Sequence, residues 1–85
     1  MWDLISFAKG RLRRQCLEAL SSGPRMPEGI AKSTGEHLSH VSRALRELTE
    51  RGLTECLTPS ARKNRIYRLT KKGNEVLKGL QDMEG

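Results

Sequence analysis

The segment from residue 38 to residue 51 restricts the possible folds more than any other part of the chain. Its apolar residues recur at intervals of three, four and three, at Leu38, Val41, Leu45 and Leu48. This spacing puts them on one side of an α-helix, and the opposite side is polar and charged. Gly52 follows, and glycine commonly ends a helix by adopting the left-handed conformation. The pattern predicts an amphipathic helix that packs on a core through one side and exposes the other.

Two more helices are predicted before this one. The first would be capped by Asp3 and reach about residue 20, where the sequence Ser-Ser-Gly-Pro stops it. Gly10 lies inside this helix and costs about 1 kcal/mol relative to alanine. A break at Gly10 would leave residues 1–7 as a separate arm. Pro27 suits the first turn of a short second helix, and Gly35 supplies the turn after it.

After Gly52 the helical period gives way to two strand-like segments. Residues 53–57 and 65–69 are separated by the turn signal Thr-Pro-Ser and a polar, basic loop. Thr70 is expected to cap a last helix that runs to about residue 82. The predicted fold is mainly α with a small β-hairpin (α+β), in the order α-α-α-β-β-α. A chain of 85 residues has room for one domain, residues 1–85.

The charge of the chain favours a polyanionic partner. The net charge is +6, and it is concentrated locally, because residues 57–74 contain six basic residues and no acidic one. A second basic cluster is spread around the first predicted helix, where an ordinary solvated surface is the favoured interpretation. Its members are Lys9, Arg11, Arg13 and Arg14.

Three segments carry a family resemblance that covers nearly the whole chain from about Lys9. Ala31, Gly35 and Val41 are spaced like the small residue, the turn glycine and the branched apolar residue of a helix-turn-helix. Residues 39–48 and 50–53 are similar to a DNA-recognition helix and its end. Residues 66–73, Ile-Tyr-Arg-Leu-Thr-Lys-Lys-Gly, are similar to the segment that leaves a wing and enters a final helix. Together they resemble the winged helix-turn-helix regulators of the MarR-like and ArsR-like families of bacteria and archaea.

This resemblance implies a helix-turn-helix at about residues 26–51, a wing hairpin at about 53–69 and a C-terminal helix at about 70–82. The sequence departs from the family pattern at two positions. Glu36 stands where an apolar residue is usual, and Leu38 is expected to fill the core in its place. His37 stands where a small polar N-cap is usual, and histidine is a poor cap.

The exposed side of the third helix and the basic loop predict binding to double-stranded DNA. Helix 38–51 would enter the major groove, where each base pair presents a distinct set of donors and acceptors. Arg43 is the first choice for a contact to a base or an adjacent phosphate. The wing loop, residues 58–65, would lie on the backbone or in a minor groove. The predicted contact residues are Ser39, His40, Ser42, Arg43, Arg46, Arg62, Lys63, Asn64 and Arg65.

These features predict a sequence-specific, cytoplasmic transcriptional regulator. The alternative is a winged helix that binds RNA or another protein, since a fold does not fix a function. An enzyme is not expected, because the chain has no glycine-rich phosphate loop, nucleophile elbow or HExxH motif. His37, His40 and Cys56 could form a metal or redox site, but such spacing arises often by chance, so no metal or cofactor is predicted. Cys16 is expected in the core, and no apolar run reaches the roughly 18 residues of a membrane span.

The two ends of the chain hold more apolar residues than a thin core should need. We expect them to form an exposed apolar patch, which monomers avoid. These residues are Leu4, Ile5, Phe7, Leu77, Leu80 and Met83. Similar regulators pair through their first and last helices, so the sequence predicts a homodimer through these elements. The alternative is that the same residues fold back on their own core and leave a monomer.

Overall fold

The computed structural model describes residues 2–63 and 65–84. Over this part of the chain the elements are α1 (Trp2–Ala8), α2 (Arg11–Leu20), α3 (Pro27–Thr34), α4 (Leu38–Glu50), β1 (Thr54–Cys56), β2 (Tyr67–Leu69) and α5 (Lys71–Glu84). The two strands pair antiparallel, with Thr54 opposite Leu69 and Cys56 opposite Tyr67. The predicted α+β fold, in which helices are followed by a hairpin and a final helix, is confirmed.

The first predicted helix is divided into two, so four helices precede the hairpin. The division falls at Gly10, which lies in the extended region with φ −53° and ψ 133° and stands just before α2. Glycine is a weak helix former, and the break lets α1 turn back over α5. Asp3 lies inside the first turn of α1. The expectation that Asp3 is the N-cap is therefore wrong, although its carboxylate still lies at the end of the helix where the macrodipole favours negative charge.

One apolar cluster joins the helices and the hairpin. Its buried members are Ala8, Cys16, Leu17, Leu20, Ile30, Val41, Ala44, Leu45, Leu48, Leu53, Tyr67, Val76, Leu77 and Leu80. Leu38 is not among them, because its side chain is 44% exposed. The expectation that Leu38 replaces an apolar residue at position 36 is wrong. Side chains tilt toward the N-terminus of their helix, so a residue at the first position extends past the end of α4 and away from the core.

The terminal helices α1 and α5 pack against each other within one chain. Ile5 of α1 lies over Gly79 of α5, so closely that a β-carbon at position 79 would be only 2.8 Å from Cδ1 of Ile5. Leu77 and Leu80 are buried, whereas Met83 remains 47% exposed. The expected exposed patch is therefore wrong for all its members except Met83. Leu77 and Leu80 belong to the core of their own chain, and Leu4, Ile5 and Phe7 are partly buried against that core.

The hairpin is fastened to both neighbouring helices. The Thr70 hydroxyl accepts a hydrogen bond from the Gly73 amide at 3.0 Å and donates one to the Gly52 carbonyl at 2.6 Å. This confirms Thr70 as the cap of α5. At the other side, Arg25 and Tyr67 exchange two backbone hydrogen bonds of 2.9 and 3.0 Å. This bridge, which the sequence did not predict, holds the start of α3 beside the wing.

The two cysteine thiols differ in environment, and this predicts their reactivity. Cys16 is buried as expected, and burial raises the pKa of its thiol to about 12, so very little reactive thiolate forms at pH 8. Cys56 on β1 is half-buried.

The exposure of Cys56 and the burial of Cys16 predict how fast each thiol reacts. We expect a disulfide reagent at pH 8 to modify one thiol quickly in the native protein and two after denaturation. Cys56→Ser should abolish the fast phase, and a native protein with two fast thiols would contradict this placement.

Candidate nucleic-acid interface

The turn between α3 and α4 sets the position of α4. Gly35 adopts φ +75° and its amide donates to the Ala31 carbonyl at 2.9 Å, so the chain leaves α3 in a left-handed turn. The His37 side chain makes no capping hydrogen bond, as expected for histidine at this position. Its backbone carbonyl instead accepts from the amides of His40 and Val41, both at 3.1 Å. The first three side chains of α4, those of Leu38, Ser39 and His40, are exposed.

An open groove of about 810 Å³ lies between the start of α3, the exposed side of α4 and the wing loop. Seven of the nine predicted contact residues line it. They are Ser39, Ser42, Arg43, Arg46, Arg62, Lys63 and Arg65. All seven are exposed. The remaining lining residues are Met26, Pro27, Glu28, Leu38 and Tyr67, so the groove carries five basic side chains and one acidic one.

His40 lies outside this groove. It lines a smaller concavity of about 240 Å³ on the other side of α4, together with residues of the α1–α2 junction. Its ring meets the ring of His37 edge-on, with the ring centroids 5.5 Å apart. Asn64, the ninth predicted contact residue, lies outside the described residues.

Hydrogen bonds within the wing loop hold some of its side chains and leave others available to contact a ligand. Thr58 organises the loop, because its carbonyl accepts from the Ala61 amide and its hydroxyl accepts from the Ile66 amide, both at 3.0 Å. The Nε of Arg65 donates to the Ala61 carbonyl at 2.7 Å. The guanidinium of Arg65 is thus held in part by its own loop. Arg62 and Lys63 are exposed at the tip.

Other basic residues are held by ion pairs. Arg68 pairs with Glu55 across the two strands. Arg14 pairs with Glu18 one turn away in α2, at 3.6 Å. Arg13 donates to Glu47 Oε1 and to the Phe7 carbonyl, each at 3.3 Å. For Arg13 and Arg14 this agrees with the interpretation of the first basic cluster as ordinary surface.

Sequence reasoning missed one wall of the groove. Met26 and Glu28 enter the groove because the Arg25–Tyr67 bridge draws the start of α3 toward the wing. Leu38 enters it because its side chain extends past the end of α4. A bridge between residues 42 positions apart leaves no local signal in the sequence, so only the folded structure reveals this wall.

Two further features bear on the kind of site. Within residues 2–63 and 65–84, no group of three or more His, Cys, Asp or Glu side chains is placed to hold a metal ion. Over the same residues, no helix has the length and apolar character of a membrane-crossing segment.

Comparison with known proteins gives structural relatives. No family model and no curated protein matches the chain. A solved structure of a possible transcriptional regulator for arsenical resistance is 30% identical, with a TM-score of 0.74, over 93% of this chain and 80% of that one. The homodimeric winged helix-turn-helix DNA-binding domain Mb0332 from Mycobacterium bovis, a possible ArsR-family regulator, is 29% identical with a TM-score of 0.67, over 94% of this chain and 71% of that one.

A MarR family transcription regulator, SP03579, shares the fold with a TM-score of 0.80 at 24% identity. The match covers 94% of this chain and 56% of that regulator. These three structures share the fold of this chain over 93–94% of its length. The chain belongs to the winged helix-turn-helix transcriptional regulators.

Proposed function

We propose that this protein binds double-stranded DNA sequence-specifically, as a transcriptional regulator, with α4 in the major groove. The observation that carries the proposal is the single groove in which polar and basic side chains from α4 meet those of the wing loop. An α-helix is about 10–12 Å across with its side chains, and the major groove is about 12 Å wide. Helix α4 can therefore enter the groove while the wing loop lies on the adjacent backbone or in a minor groove.

The exposed positions of α4 suggest different roles for its side chains. Arg43 lies at the centre of the exposed side, where its guanidinium can grip a guanine in bidentate fashion. Ser39 and Ser42 lie in the N-terminal half, the part that meets bases in helix-turn-helix complexes. Arg46 is one turn further on and is proposed to meet a phosphate.

The wing loop is proposed to contribute contacts to phosphates. Arg62 and Lys63 are exposed at its tip and are the main candidates. Arg65 contributes less, because its Nε is held by the Ala61 carbonyl. Asn64 remains part of the proposed contact set. Phosphate contacts fix position and orientation on the duplex but carry no direct sequence information.

The experiment that tests this function is selection from a random library of duplex DNA at a defined salt concentration. Enrichment of a consensus sequence is the expected result. A parallel selection on single-stranded RNA of equal complexity is the control for the alternative function. Enrichment only of RNA, or no enrichment in either selection, would contradict the proposal.

Substitutions in α4 and in the wing loop should have different effects. Arg43→Ala is expected to cost about 1–3 kcal/mol on the selected duplex and to blur the preference at one or two base positions. Arg62→Ala should weaken selected and scrambled duplexes about equally, because it removes a phosphate contact. Titration of both variants against both duplexes measures the difference. An unchanged ratio of selected to scrambled affinity in Arg43→Ala would show that Arg43 does not contact a base.

We also propose a homodimer that pairs through α1 and α5. The supporting relative is Mb0332, which is described as homodimeric and matches 94% of this chain. Two-fold pairing would set two copies of α4 about 34–36 Å apart, one turn of DNA, on a pseudo-palindromic site. Sedimentation at micromolar concentration should give about twice the 9.6 kDa of the chain. A monomer that selects an unpaired half-site would contradict the dimer and leave the proposed DNA binding intact.

A further inference from the structure

Helix α4 has a second concavity on the side that faces away from the wing. We call it the Gly10 notch, and its lining residues are Gly10, Arg11, Leu12, Arg13, His40, Arg43, Ala44 and Glu47. Its volume is about 240 Å³. Arg43 lines both the groove and the notch. The exposed ridge of α4 therefore stands between two concave, basic surfaces.

The charges in the notch leave it cationic. Glu47 is its acidic residue, and Arg13 holds that carboxylate at 3.3 Å. Arg13 is fixed further by Phe7, whose ring centroid lies 4.1 Å from the guanidinium carbon. Arg11 is exposed and forms no ion pair within the described part of the chain. Arg11 and Arg43 thus carry uncompensated positive charge, and the exposed ring of His40 adds a hydrogen-bond donor.

The break between α1 and α2 creates the notch. Gly10 leaves the helical conformation, so α2 starts at Arg11, beside α4. A β-carbon at position 10 would lie 3.3 Å from Nη1 of Arg13. A larger residue there would crowd the guanidinium that holds Glu47.

The geometry of duplex DNA indicates which ligand the Gly10 notch would contact. A helix that fills the major groove has a sugar-phosphate strand on each side, because its diameter nearly equals the width of the groove. The wing loop accounts for only one of these strands. We propose that the Gly10 notch binds a backbone phosphate of the other strand, with Arg11 as the main contact, His40 as a donor and Arg43 on the ridge between the two strands. This inference rests on the proposed DNA binding and extends it to a second phosphate site.

Removing the Arg11 charge should change the salt dependence of binding by the amount expected for one phosphate contact per chain. Each phosphate contact contributes about −0.9 to the slope of log affinity against log salt. Arg11→Ala should make the slope shallower by about 0.9 per bound chain, so the affinity lost between 50 and 200 mM salt should shrink by about 3.5-fold. The control is Arg14→Ala, which removes the same charge from the same helix. Arg14 pairs with Glu18 and does not line the notch, so its slope should stay at the wild-type value.

A scan of the DNA backbone locates the contact. Single phosphates of the selected duplex are replaced by neutral methylphosphonates, and the affinity of each duplex is measured for wild type, Arg11→Ala and Arg62→Ala. At some phosphates, a methylphosphonate that weakens binding of the wild type should have no effect on binding of Arg11→Ala. Within each half-site, these phosphates should lie on the strand opposite those at which Arg62→Ala loses its sensitivity. Circular dichroism melting of each variant establishes that it is folded.

The outcomes separate this inference from the proposed function. Wild-type protein that fails to bind any duplex overturns both. If the wild type binds but folded Arg11→Ala keeps the same salt slope and the same methylphosphonate profile, only the proposal of phosphate binding in the Gly10 notch is overturned. That proposal is also overturned if Arg11→Ala and Arg62→Ala lose their sensitivity at the same phosphates.

Discussion

Gly73→Ala is expected to destabilise the protein by about 3 kcal/mol. A β-carbon at this position would lie 2.0 Å from the Leu53 carbonyl oxygen and 3.1 Å from Cδ2 of Leu69. The Leu53 carbonyl cannot easily move, because it accepts the Thr70 amide at 3.1 Å and so ties the end of the hairpin to the start of α5. Relief therefore requires the first turn of α5 to shift. Urea denaturation followed by circular dichroism measures the loss.

Gly29→Ala is the matched control for this prediction. Gly29 also lies in the first turn of a helix, but a β-carbon there would meet nothing within 4 Å. Alanine should stabilise the protein by about 0.4–1 kcal/mol, because it restricts the unfolded chain without a clash. Opposite signs for the two substitutions are expected. Equal effects would contradict the close packing of α5 on Leu53.

Leu45→Ala should lower the free energy of unfolding by about 2–5 kcal/mol. Leu45 is fully buried at the centre of α4, so alanine would leave a cavity between α4 and its neighbours. A domain of this size has a total stability of roughly 4–13 kcal/mol, so a loss of this size would unfold the variant if the wild type lies at the lower end of that range. Thermal and urea unfolding measure it.

Leu38→Ala is the control on the same helix, and it is expected to cost less than about 1 kcal/mol. Both residues belong to the apolar stripe seen in the sequence, but only Leu45 is enclosed by the core. Leu38 is 44% exposed and lines the proposed DNA-binding groove. A large loss of stability in Leu38→Ala would contradict its position outside the core.

The parts of the fold that depend on local patterns could be predicted from the sequence. The apolar period of α4 identified Val41, Leu45 and Leu48 as buried, because that period is a property of the helix itself. Gly35 and Gly52 marked turns with positive φ, and both have it, at +75° and +76°. The same period showed which side of α4 is exposed, and four predicted contact residues on that side line the groove, namely Ser39, Ser42, Arg43 and Arg46.

Features that depend on tertiary packing could not be predicted. The sequence does not show that α5 packs on the Leu53 carbonyl at Gly73, where a β-carbon has no room. The Arg25–Tyr67 bridge joins segments far apart in sequence and adds Glu28 to the groove. His40 was grouped with Ser39 and Ser42, but it lies on the other side of the ridge. His40 lines the concavity beside the start of α2. The apolar pattern of α4 gives no information about where α2 lies, so this placement could not be predicted.

The most direct test of sequence-specific DNA binding is titration of the wild-type protein with the selected and scrambled duplexes over a range of salt concentrations. With about four to six phosphates neutralised per chain, the slope of log affinity against log salt should lie between about −3.6 and −5.4 for each bound chain, and a dimer should show twice that slope. The selected duplex should bind more tightly than the scrambled one at every salt concentration. A nearly flat salt dependence, or equal affinity for the two duplexes, would contradict the proposal that α4 and the wing loop together read duplex DNA.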